Sequence, residues 1–189
     1  MSSKFNILLI FIKLYSIMIV EFSSQRLRFY LIEESDADFI YELMNTEKWL
    51  KFIGDRGIQK IEDAKQYILE KMSPDIAKAG FVNYKMIEKS SGKAVGTCSL
   101  HDRKGVKGMD VGYALLPEFE GKGYAKEGAM FIINLAKEKY NQKKISAITT
   151  AENRGSCRLL ERLGFDYEDE ISLPNSVDIL RLYVKSLFL

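Results

Sequence analysis

Asp110-Val111-Gly112-Tyr113-Ala114-Leu115-Leu116-Pro117-Glu118-Phe119-Glu120-Gly121-Lys122-Gly123-Tyr124-Ala125-Lys126 is the stretch on which the fold turns. Its first part, Asp110 to Leu115, reads as a strand, and beyond it Ala129, Ile132, Ile133 and Ala136 recur at helical spacing to about Tyr140. Between strand and helix lies Glu120-Gly121-Lys122-Gly123-Tyr124-Ala125. A connection of this kind aims free backbone N–H groups and the positive end of a helix at an anion. Glycines let the backbone approach phosphate oxygens and take unusual dihedrals. Lys122 and Lys126 add mobile positive charge. No G-x-x-x-x-G-K-[ST] run occurs, and Lys126 stands where a dinucleotide fingerprint needs its third glycine. Taken alone, the loop reads equally as a glycine turn joining strand to helix.

A second block lies further on, Asn153-Arg154-Gly155-Ser156-Cys157-Arg158-Leu159-Leu160-Glu161-Arg162-Leu163-Gly164-Phe165. Asn153 is a natural N-cap, Leu159, Leu160 and Leu163 form an apolar face, and Gly164 is placed for a C-cap.

Working outward, Arg26 to Ile32 alternates as a first strand. Ser35 offers an N-cap to a helix reaching about Asn45. Trp49, Phe52 and Ile53 form a short aromatic segment before Gly54 and Gly57, and a second helix covers about Ile61 to Met72, stopped by Ser73-Pro74. Strands follow at Phe81–Glu88, Ala94–Leu100 and Asp110–Leu115. After the long helix come a strand at Lys144–Thr149, a helix at Arg154–Leu163, and strands at Phe165–Ile171 and Ile179–Leu187, separated by Pro174-Asn175. This order predicts a mixed α/β sheet covered by helices rather than an alternating βαβ fold.

The chain of 189 residues is 47% hydrophobic, enough for a core, and its net charge of +2 gives no basic stripe for nucleic acid. Cys98 and Cys157 read as small buried residues, and with His101 the single histidine no metal pattern arises. Residues 5–20 are strongly apolar yet interrupted by Asn6, Lys13 and Ser16. The run is short and carries a charge, so it reads as an extension over residues 1–24 rather than a membrane anchor or a signal peptide. Met18 is an alternative start, and residues 25–189 form one domain.

Together the two blocks resemble the GNAT superfamily of N-acetyltransferases, in its Rim-type branch. The family loop Q/R-x-x-G-x-G/A is matched by Glu120-Gly121-Lys122-Gly123-Tyr124-Ala125, with Glu120 in place of Gln or Arg. The pattern N-x-x-S-x-x-L-x-x-x-G-F is matched by Asn153, Ser156, Leu159, Gly164 and Phe165, and Val111-Gly112-Tyr113 also looks like this branch. The likeness covers residues 26 to 187. It implies a mostly antiparallel, splayed sheet of about seven strands flanked by helices, acetyl-CoA as co-substrate and no metal. It also implies a primary amine as acceptor, on a protein N-terminus or a small molecule, in a cytoplasmic enzyme that is a monomer or homodimer.

By the same resemblance, backbone groups of Leu115 and Leu116 pair with the pantetheine arm. N–H groups of Gly121, Lys122, Gly123, Tyr124, Ala125 and Lys126 hold the pyrophosphate, and Asn153 supports the cofactor. Glu120 opposes phosphate binding unless its side chain faces away. Many relatives carry a tyrosine acid where this chain has Leu160; the Rim-type alternative is Ser156 as proton donor. Asp110 is the candidate base or amine anchor, with a solvated strand residue as the other reading, and His101 is a weaker candidate. Trp49, Phe52 and Asp55 belong to the segment that lines the acceptor side in relatives, while core packing alone also accounts for Trp49 and Phe52. Direct transfer in a ternary complex needs no nucleophile from Cys98 or Cys157. A non-catalytic acyl-CoA-binding module remains the alternative.

Overall fold

The computed structural model describes residues 22–72, 82–174 and 176–188. Eight strands form one sheet: β1 Phe22–Ser23, β2 Leu27–Leu31, β3 Val82–Glu88, β4 Ala94–His101, β5 Asp110–Leu115, β6 Lys144–Thr149, β7 Asp166–Ile171 and β8 Leu180–Ser186. The order across the sheet is β1-β2-β3-β4-β5-β6-β8-β7. Every neighbouring pair is antiparallel except β5 and β6, which run parallel. The helices are α1 Ala37–Met44, α2 Glu47–Phe52, α3 Ile61–Tyr67, α4 Tyr124–Glu138 and α5 Arg154–Arg162.

The eighth strand is a difference from the sequence expectation. Phe22 and Ser23, expected in the N-terminal extension, pair with Phe29 and Arg28 of β2. A two-residue strand has no alternation to read, and here it closes an apolar run. Its Phe22 ring meets Tyr84 and Phe131. The apolar run itself lies outside the described residues, as do Ser73-Pro74 and Asn175 of the proposed stops.

Two helix starts also differ. Ser35 donates its hydroxyl to Glu33 Oε1 at 2.7 Å, so it does not cap α1. A capping box between Glu33 and Asp36 opens a 3-10 turn at Glu34–Asp36 that leads into α1, with Asp36 Oδ2 accepting from Glu33 N–H at 3.1 Å. The aromatic segment is helical because Thr46 caps it, its side chain accepting from Trp49 N–H. Beyond α3 the chain continues as a π-turn over Ile68–Met72.

Registers separate the two sheet faces. Phe29, Met86, Cys98, Leu100, Val111 and Tyr113 share the face against α4, where a Cβ on Gly128 would lie 3.3 Å from Cys98 Cβ. That face forms the larger core, with Ile132, Ala136 and Leu160. The opposite face carries Asn83 and Lys85 of β3, Thr97, Ser99 and His101 of β4, and Asp110 of β5. Asp36, at the start of α1, forms an ion pair with Lys85 there. A second core joins α1 and α3 through Ile40, Met44, Ala64 and Ile68.

Phe29 is fully buried and its ring stacks on Phe131 at 4.0 Å between centroids. Phe29→Ala should cost about 3–5 kcal/mol, read as a lower urea midpoint with an unchanged slope.

Candidate active site

β5 and β6 pair at a single position, Asp110 opposite Ser146, where Ser146 N–H donates to Met109 C=O at 2.9 Å. Toward their C-terminal ends no further register joins them. Main-chain groups of a strand point alternately to either side. Leu116 N–H donates to Val95 C=O of β4 at 3.0 Å, whereas Met109 faces β6. By this alternation the N–H and C=O of Tyr113 and Leu115 face the gap. Leu116 differs from its expected role: its N–H serves Val95, and its C=O accepts from Phe119 N–H at 3.0 Å. Its side chain is in the core. Tyr113 replaces it as the second backbone position in the gap, a consequence of strand parity.

The gap leads to the glycine loop. After a 3-10 turn at Pro117–Phe119, Gly121 and Gly123 take φ of 70° and 85°, the left-handed region that other residues adopt at a cost. The first helical bond of α4 is Glu127 N–H to Gly123 C=O at 3.2 Å. Tyr124, Ala125 and Lys126 therefore present N–H groups ahead of the helical ladder. The loop is fixed by Arg26, at the entrance to β2. Its Nε donates to Glu127 Oε2 at 2.8 Å and its Nη1 to Lys122 C=O at 2.8 Å. Its guanidinium carbon lies 4.6 Å from the Tyr124 ring centroid. Tyr124 is buried and its hydroxyl donates to Glu88, which makes it a packing residue with a main-chain donor. Lys122 and Lys126 are exposed. Glu120 forms an ion pair with Lys48, just before Trp49 on α2. The acid is thus paired and drawn toward α2.

Asn153 caps α5, its Oδ1 accepting from Ser156 N–H at 3.2 Å. Ser156 Oγ lies 2.9 Å from Tyr113 Oη. Burial pushes the Tyr113 phenol up to about 12, against a smaller opposing effect of the Ser156 hydrogen bond. Leu160, at the position where many relatives hold a tyrosine, is 1% exposed and belongs to the core.

On the opposite face Asp110 is 1% exposed, and Arg103 Nε donates to its Oδ1 at 2.7 Å. It is not a solvated strand residue. Burial raises its carboxyl to about 6 and outweighs the lowering by Arg103. His101 pairs in register with Asp110, and its Nε2 lies 2.8 Å from Ser99 Oγ. Burial, reinforced by Arg103, holds its imidazole down at about 3. It is neutral at physiological pH and too weak a base to draw a proton from an ammonium ion. Gly112 leaves room for this pair, since a Cβ there would lie 2.6 Å from Ser99 Oγ.

Trp49 is partly buried against both cores, and its Nε1–H is buried with no partner among the described residues. Phe52 is half-buried. Asp55 is exposed and accepts from Gly57 N–H at 2.7 Å, which makes it a turn residue. Among the described residues no cluster of His, Cys, Asp and Glu could hold a metal ion, and no helix is long and apolar enough to cross a membrane.

The sequence matches the Acetyltransferase (GNAT) domain family over residues 26–166. The chain belongs to the GNAT family. Among its relatives is the uncharacterized N-acetyltransferase p20 of Bacillus licheniformis, 26% identical over 147 residues, covering 77% of this chain and 82% of that protein. The fold of this GNAT enzyme is shared with ribosomal-protein-S5-alanine acetyltransferase from Vibrio fischeri. That structure gives a TM-score of 0.73 at 23% identity and covers 88% of this chain and 96% of that one. It is shared too with spermidine N-acetyltransferase from Vibrio cholerae, solved with CoA and spermine. There the TM-score is 0.71 at 15% identity, over 87% of this chain and 97% of that one. The chain is an N-acetyltransferase of mixed, mostly antiparallel sheet.

Sequence reasoning missed Tyr113, Arg103, Ser99 and Arg26. Arg26 meets Lys122 from 96 positions away and carries no local signal. Arg103 follows β4 in a loop that reads as solvated.

Asp110 holds its proton more tightly in the folded chain than at its ordinary value of 3.8. Its contribution to stability is therefore full below about pH 4 and is lost as pH rises through about 6. Asp110→Asn removes that dependence. Its stability relative to the parent should rise by about 3 kcal/mol from about pH 4 to about pH 8. Urea unfolding of both proteins across that range checks this; parallel curves would contradict it.

Proposed function

We propose that this enzyme transfers the acetyl group of acetyl-CoA to a primary amine, by direct attack in a ternary complex. The observation that carries the reading is the gap between β5 and β6, which leads straight to a loop rich in unpaired N–H groups. A pantetheine arm needs peptide partners along an open strand edge, and a pyrophosphate needs convergent N–H groups. Tyr113 and Leu115 supply the first. Gly121 to Lys126 supply the second, with Asn153 beside them. Glu120, paired with Lys48, does not oppose the phosphates.

The attacking amine must be neutral. An N-terminal amine titrates near 8 and gives up its proton readily. Asp110, with its carboxyl near 6, is ionised at pH 7 and can take that proton. Arg103 keeps it oriented. A β5 N–H that faces the gap meets the thioester oxygen as it gains charge. Ser156 donates a hydrogen bond to the departing sulfur.

For the acceptor, Trp49 favours a peptide N-terminus. Its indole N–H, without a partner among the described residues, would be satisfied by a carbonyl reaching α2, which a peptide has and a polyamine lacks. Lys48, next to it, ties α2 to the cofactor loop. The spermidine enzyme that shares the fold keeps small amines in the panel to be tested.

The second reading, an acyl-CoA-binding module without turnover, is favoured by Leu160, whose core position leaves no tyrosine acid. Thiol release from acetyl-CoA over a panel of peptides and amines separates the two. We expect turnover with at least one peptide. Asp110→Asn and Ser156→Ala should each lower kcat by about 100-fold, and the rate of the parent should rise through about pH 6. Tight acetyl-CoA binding with no turnover across the panel would establish the module instead.

A further inference from the structure

Tyr113 and Ser156 form the one side-chain hydrogen bond described between β5 and α5. Tyr113 stands on β5, and Ser156 on α5, which follows β6 and packs on it. Their bond therefore crosses the line along which β5 and β6 part. Both residues are partly exposed rather than fully buried. Ser156 is held in place by the cap, with its N–H on Asn153 Oδ1. Tyr113 is held by its main chain in β5, opposite Cys98.

Such a pair has a preferred direction. A phenol is a much stronger acid than an aliphatic hydroxyl and the better donor, so Tyr113 Oη–H donates to Ser156 Oγ. That frees the Ser156 proton for a third group, and the space beside it is the gap. Serine by itself is a poor acid for a departing thiolate. Serine with a phenol behind it is a stronger hydrogen-bond donor.

Resting on the acetyl-transfer reading above, we propose that Tyr113, through Ser156, stabilises the departing thiolate of CoA by a chain of two hydrogen bonds. As the amine nitrogen bonds to the acetyl carbon, the C–S bond breaks and its electron pair stays on sulfur. Ser156 Oγ–H donates a hydrogen bond to that sulfur while Tyr113 Oη–H donates to Ser156 Oγ, and both hydroxyls keep their protons. The thiolate takes its proton from solvent as CoA leaves. The proton shed by the amine goes to Asp110 and from there to solvent. Tyr113 touches the sulfur only through Ser156, so it positions the Ser156 hydroxyl and strengthens it as a donor.

Tyr113→Phe keeps the ring and removes the hydroxyl. With an amine that the parent acetylates, its kcat should fall by about 100-fold, while KM for acetyl-CoA stays within about 3-fold. Ser156→Ala should behave alike, and the double variant should be no slower than the slower single one. A readout that needs no acceptor is ultraviolet titration of the thiol of bound CoA. The parent should titrate at lower pH than free CoA, and Tyr113→Phe should move it back toward the free value. A Tyr113→Phe enzyme with parental kcat and parental thiol titration overturns the proposal while leaving acetyl transfer intact. Losses that multiply in the double variant overturn it too. A parent that binds no CoA removes the acetyl-transfer reading itself, and this proposal with it.

Discussion

One parallel pairing controls this structure. β5 and β6 meet only where Asp110 faces Ser146, and every other neighbouring pair in the sheet is antiparallel. Parallel strands need a crossover, here supplied by the glycine loop and α4. Without a continuous ladder the strands part, and main-chain donors and acceptors of Tyr113 and Leu115 are left facing open space. Unpaired main-chain groups are costly when enclosed. A thioester carrier with amide groups along its arm is the kind of ligand that satisfies them.

The two sheet faces differ in character along these strands. On one, α4 and α5 cover an apolar core and bring Ser156 over Tyr113. On the other, Asp110, Arg103, Ser99 and His101 form a polar patch at the ends of β4 and β5. Burying Asp110 raises its carboxyl to about 6 and opposes folding above that pH.

Much of the fold was legible because its elements are long and regular. β5, β6, α4 and α5 each follow a clean period, and the sequence bounds of β5 and β6 match the structure to the residue. The start of α1 was not legible, since Ser35 has the right chemistry for a cap but Glu33 and Asp36 occupy the positions that close the box. β1 was hidden for want of length. In the site, the glycine loop and Asn153 follow from local sequence rules. The Leu115–Leu116 pair did not survive as written, because only alternate residues of a strand face one side. Tyr113 and Arg26 depend on contacts across the sheet, and no window of sequence contains both partners. His101 illustrates the opposite failure: the right residue type, in a place where burial takes away its basicity.

Residue-resolved amide exchange, with and without CoA, probes the central claim at its source. Binding in the gap should slow exchange at Tyr113 and Leu115, and at the loop amides from Gly121 to Lys126. Ala114, already bonded toward β4 by strand alternation, should change little. Protection at Ala114 and Leu116 instead, or none along β5, would contradict the account.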